Sequence, residues 1–68
     1  MYRVYITPII GSPIPVLYFS GDNFLDAGKE YLAAMDLVMS KDTRAEVILM
    51  HNLRVTHSYV NRESEWSE

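Results

Sequence analysis

The chain contains no cysteine among its 68 residues, so neither a disulfide framework nor a thiolate zinc site is open to it, and nothing argues for an oxidising compartment. The cytoplasm is the default expectation. Glycine is scarce: Gly11, Gly21 and Gly28 stand singly, whereas a phosphate cradle or dinucleotide fingerprint needs several glycines at fixed spacing. Basic residues are few, six Lys plus Arg against nine Asp plus Glu for a formal net charge of −3, which is the wrong sign for a chain that tracks a phosphate backbone. Long hydrophobic runs are missing as well. Residues 4–19 are the most apolar stretch, but Pro8, Pro13 and Pro15 interrupt it, it falls short of the roughly 18–20 residues of a spanning helix, and no small-residue cleavage site follows it. No membrane partner is expected.

What remains is ordinary globular composition, 49% hydrophobic and 22% charged, unlike the low hydrophobicity and high charge of a disordered chain. The length is the constraint. Below roughly 70–80 residues a single core supplies about 3–5 kcal/mol at most, so a chain of this size gains from a partner. The reading is one domain over residues 1–60 and a polar tail over 61–68, with Trp66 the tail's one apolar anchor.

Tyr2, Val4 and Ile6 alternate with Arg3, Tyr5 and Thr7, the period of two that marks a strand. Gly11, Ser12 and Pro13 supply turn chemistry, and residues 16–20 read as the returning strand of a hairpin. From Asp22 the period changes to that of a helix ending near Ser40. Phe24, Leu25, Gly28, Tyr31, Leu32, Met35, Val38 and Met39 form its apolar face, opposite Asp26, Lys29, Glu30, Ala33 and Asp36. Asp22 or Asn23 caps its start, Lys41 suits its end, and Gly28 on the apolar face predicts close approach of the helix to a sheet. Residues 46–50 and 54–60 are strands, either one long bent strand or a hairpin turning at Asn52, and usual strand lengths favour the hairpin. The fold class is therefore α+β, an antiparallel β-β-α-β-β sheet with one amphipathic helix on one face.

One helix covers one face of such a sheet. If Val4, Ile6, Val47 and Leu49 point towards it, then Arg3, Tyr5, Ile48, Met50, Arg54, Thr56 and Val60 point away, because neighbours along a strand alternate faces. An outer face with Tyr, Ile, Met and Arg is richer in interface residues than a solvated sheet requires. Two partners fit it, a foreign protein or a second copy of the chain.

Catalytic constellations are absent from the pattern. His51 and His57 lie six positions apart with no third ligand at matched spacing, and His57 and Ser58, adjacent on a strand, point to opposite faces. Asp22, Asp26 and Glu30 make an acidic stripe along the helix start, which reads as a solvated face rather than a paired-carboxylate site. No enzyme activity, metal or cofactor is expected. Arg3, Tyr5, Arg54 and Arg62 would suit base stacking and phosphate contact if they shared a face, but the net charge and the acidic helix argue against nucleic acid.

In size and in this order of elements, strands at 2–7 and 16–20, a helix at 22–40 and strands within 46–60, the chain resembles small phage proteins that bind and disable host machinery, among them anti-CRISPR proteins and phage inhibitors of host RNA polymerase. The resemblance implies a stoichiometric inhibitor that blocks a host complex sterically. Asp22, Asp26, Glu30 and Asp36 would meet a basic groove on the target, and Arg3, Tyr5, Ile48, Met50 and Arg54 would supply the second contact surface. The competing expectation is a homodimeric, antitoxin-like regulatory module that buries the outer sheet face against itself.

Overall fold

β-branched and aromatic residues at alternate positions build the first strand, β1 (Tyr2–Pro8). In the computed structural model, which describes residues 1–9, 13–41 and 44–61, β2 (Val16–Gly21) returns beside β1. The helix α1 (Phe24–Ser40) then crosses one face, and β3 (Ala45–His51) and β4 (Arg54–Asn61) complete the sheet. The strand order is β2-β1-β3-β4 with every neighbouring pair antiparallel, the α+β arrangement read from the sequence. The turn residues Gly11 and Ser12, the linker residues Asp42 and Thr43, and the tail from Arg62 onward, Trp66 included, lie outside the described residues.

β3 and β4 form a hairpin, not one bent strand, because Asn52 accepts a backbone that most residues resist. Its φ is 59°, in the left-handed region where asparagine is several-fold enriched, and its N–H donates to the Met1 carbonyl at 2.8 Å. Beyond the turn His51 faces Arg54 and Met50 faces Val55, but Leu49 faces His57. Thr56 is thus the extra residue of a β-bulge, its hydroxyl donating to the Leu49 carbonyl at 3.1 Å. A matching bulge sits in β2, where Val4 faces Phe19 and Tyr5 faces Leu17, leaving Tyr18 as the extra residue.

The turn and the bulge together correct the side-chain assignment in β4. Residues directly opposite one another share a face, so Arg54 joins His51 on the helix side of the sheet, and Val55 joins Met50 on the outer side. The period of two through residues 47–59 is broken twice and restored, which the alternation alone could not reveal.

α1 starts where Asn23 caps it, the side-chain oxygen accepting from the N–H groups of Leu25 at 2.9 Å and Asp26 at 3.1 Å. The face it lays on the sheet is not the one with the largest side chains. Ala27, Ala34 and Val38 are buried, and Tyr31 and Met35 pack partly against the core, while Leu25 and Leu32 are 73% and 63% exposed. The core they join consists of Val4, Ala45, Val47 and Leu49. At 3.6 residues per turn, the buried stripe is rotated by roughly 70° from the centre of the apolar face drawn from the sequence. Alanines at the crossing let the helix axis sit close to the strands, and that approach decides the orientation.

Gly28 is not the point of close approach, since a Cβ built on it meets nothing within 4 Å. The tight glycine is Gly21, where an added Cβ would stand 2.9 Å from Phe19 Cζ because the Phe19 ring lies across it. Gly28→Ala is therefore expected to stabilise the fold by about 0.5–1 kcal/mol, a few degrees in Tm, by removing the mid-helix glycine cost. Thermal unfolding followed by circular dichroism checks it, and a lowered Tm would contradict the open space beside Gly28. At the far end β4 runs one residue past the expected boundary: Asn61 is buried, with its amide 3.4 Å from the Val38 carbonyl. Among the described residues no helix is long and apolar enough to cross a membrane.

Candidate functional site

Two apolar surfaces flank the small core. The first is the outer face of the sheet, whose rows follow from the pairing register. One row runs Ser20, Arg3, Met50, Val55, the next Leu17, Tyr5, Ile48, Ser58, and the third Thr7, Glu46, Val60. Tyr5, Ile48 and Met50, with Thr7 and Pro15, line a shallow depression of 340 Å³. Arg3, Tyr5, Ile48 and Met50 thus come together as the sequence suggested, and Arg54 does not. Leu17 and Val55, 52% and 56% exposed, extend the patch. Alternation left β2 open between Leu17 with Phe19 and Val16 with Tyr18 for this face, and the bulge sends Leu17 here and Phe19 to the helix side, while Val55 was assigned to the other face because the bulge at Thr56 was not visible.

The second surface arises because α1 rests over β2, β1 and β3 and leaves much of β4 uncovered. A groove opens there, lined by Phe24, Leu25, Gly28, Lys29, Tyr31 and Leu32 of the helix and by Leu49 and His57 of the sheet. Tyr31 and His57 stand with ring centroids 6.0 Å apart. Burial raises the Tyr31 phenol above its ordinary pKa by disfavouring the charged form, so the group stays neutral at physiological pH. His57 Nδ1 lies 3.3 Å from the Thr56 hydroxyl. Next along this side, Tyr2 stacks on His51 at 4.2 Å and tilts against Phe24 at 5.7 Å, in the row that also holds Arg54.

The helix ridge was missed in the sequence for a simple reason: large apolar side chains at helical spacing were assigned to the core. The helix carboxylates all fall on one side of it: at about 100° per residue Asp36, Asp26 and Glu30 follow one another away from the ridge, while Asp22 precedes the helix, its carboxylate 3.7 Å from the Met1 amino group. Chemically these surfaces offer apolar contact, rings and scattered charge. Among the described residues no three His, Asp or Glu side chains gather where they could hold a metal ion, and His51 and His57 are held in separate ring contacts. Compared with protein-family models, with curated proteins and with solved structures, the chain matches none, so its surfaces alone carry the functional reading.

Proposed function

We propose that the chain is a non-catalytic protein-binding module that acts as a stoichiometric steric block on a bacterial nucleic-acid-handling or defence complex. The observation that supports this best is the inversion in α1, where alanines meet the sheet while Phe24, Leu25 and Leu32 are 60%, 73% and 63% exposed. A contiguous apolar ridge beside an apolar groove is a surface made for contact with protein. Leu25, Leu32 and Met39 recur at seven-residue spacing and are all exposed, the spacing of anchors on a helix lying in a partner's groove. Carboxylates along one flank of the ridge, Asp36, Asp26 and Glu30, call for a partner surface that is apolar at its centre and basic along one rim, and a basic rim is what proteins that hold phosphate backbones present. Occupying such a cleft blocks it without turnover, as in the phage inhibitors that the chain resembles in size and order of elements.

The test is capture of partners by the tagged chain from nuclease-treated bacterial lysate in moderate salt, beside two variants. A stoichiometric protein partner is expected, lost by at least about tenfold in Leu25→Glu/Leu32→Glu, whose changed side chains lie outside the core, and weakened in Asp26→Lys/Glu30→Lys. Undiminished capture by the leucine variant, or recovery of nuclease-sensitive material alone, overturns the proposal.

A further inference from the structure

The outer sheet face lies on the opposite side from the helix ridge, and its charges are arranged about a centre. In the two middle strands the rows are Arg3 with Met50, Tyr5 with Ile48, and Thr7 with Glu46. A cation therefore stands two residues to one side of the Tyr5–Ile48 row and an anion two residues to the other. Four residues of strand separate them by about 13 Å, too far for a direct ion pair within the chain. Rotation by 180° about an axis lying in the face, crossing the strands along the Tyr5–Ile48 row, reverses the strand direction and brings the Arg3 end of one copy over the Glu46 end of the other. The same rotation lays Tyr5, Ile48 and Leu17 over their own counterparts. Such a face is complementary to itself under a two-fold operation, in apolar centre and in charged ends alike.

The geometry points to a homodimer in which two outer sheet faces pack together with strands running in opposed directions, closed by reciprocal Arg3–Glu46 contacts between copies. The other route to self-association, strand addition at an edge, is obstructed. Both edge strands carry a bulge, Tyr18 in β2 and Thr56 in β4, and a bulged edge is a poor template for a further strand. The alternative two-fold, with its axis parallel to the strands, would set each Arg3 near its own copy and each Glu46 near its own copy, so like charges would meet. In the opposed dimer both helix ridges face away from the interface, and the pairing stands or fails independently of any foreign partner.

Sedimentation equilibrium of the purified chain from about 1 to 200 µM is the test, with charge exchange as its discriminating arm. Arg3→Glu and Glu46→Arg are each expected to weaken the dimer by about tenfold or more, because each sets like charges against one another across the interface. Arg3→Glu/Glu46→Arg is expected to recover most of the loss, which only contacts between copies can explain given the separation within one chain. Leu17→Asp, at an exposed position on the same face, serves as a further variant that keeps the fold and weakens the dimer. A monomer across the whole range, or a dimer indifferent to Leu17→Asp and to the single exchanges, overturns the inference. A dimer whose single exchanges weaken it without recovery in the double variant overturns the opposed arrangement.

Discussion

Ala34→Leu is expected to destabilise the fold by about 1–3 kcal/mol or more, the ordinary cost of overpacking, while Leu25→Ala and Leu32→Ala each stay within about 0.5 kcal/mol of the parent. That order is the reverse of what hydropathy suggests. Ala34 is fully buried at the crossing of helix and sheet, in the stripe that also includes Ala27 and Val38. Three additional carbon atoms there have no space to enter, so the helix must lift from β1 and β3 or the side chain must leave its rotamer. Lifting the helix loses contact along the whole stripe, and the largest fully buried side chains it covers are only Val4 and Val47. In a chain whose core supplies about 3–5 kcal/mol, a loss of this size leaves a substantial unfolded fraction. The exposed leucines contribute little to folding, and alanine is the better helix former. Urea denaturation of the three variants decides the matter: a Leu32→Ala cost in the 2–5 kcal/mol range of core truncations would mean that the ridge faces the core after all.

The same helix shows where the sequence was legible and where it was not. Its existence, its start at Asp22 or Asn23, which the structure settles as Asn23, and its end near Ser40 followed from local chemistry, namely a capping side chain and a change of period. Its rotation did not, because periodicity weights a face by side-chain size, whereas the sheet selected the face that allows the closest backbone approach. Gly28 was misjudged for the same reason: the close approach was made by Ala27 and Ala34, and the glycine lies beside the groove. In β4 the lesson concerns parity. Asn52 was readable as a turn residue from its tolerance of positive φ, but nothing local distinguishes Thr56 as a bulge, so Arg54 and Val55 exchanged faces. The strands without a bulge behaved differently. Arg3, Tyr5, Ile48 and Met50 in β1 and β3 reached the face that alternation assigned to them, and with them came Glu46, whose role depends on register between strands and not on any property of its own segment.

Asn61→Asp is expected to cost about 3–5 kcal/mol at neutral pH, the scale of a buried charge set against a backbone carbonyl, and to recover part of that loss in acid. Asn61 is 5% exposed, and its side-chain nitrogen lies 3.4 Å from the Val38 carbonyl near the end of α1. The substitution replaces a donor by an acceptor that faces an acceptor, in a site where ionisation is costly. Burial and the facing carbonyl raise the carboxyl's pKa in the folded state above the unfolded value near 3.9. The neutral acid is then the form that the fold tolerates, and it can donate to the carbonyl in place of the amide. Stability is therefore highest below about pH 4 and declines as pH rises from there through the folded pKa, where the unfolded chain binds fewer protons than the folded one. Denaturant midpoints for Asn61→Asp measured relative to the parent at each pH isolate this contribution from the general acid sensitivity of the other carboxylates. A difference that is flat with pH would mean that the position is open to water, and that β4 is not held to the helix through Asn61.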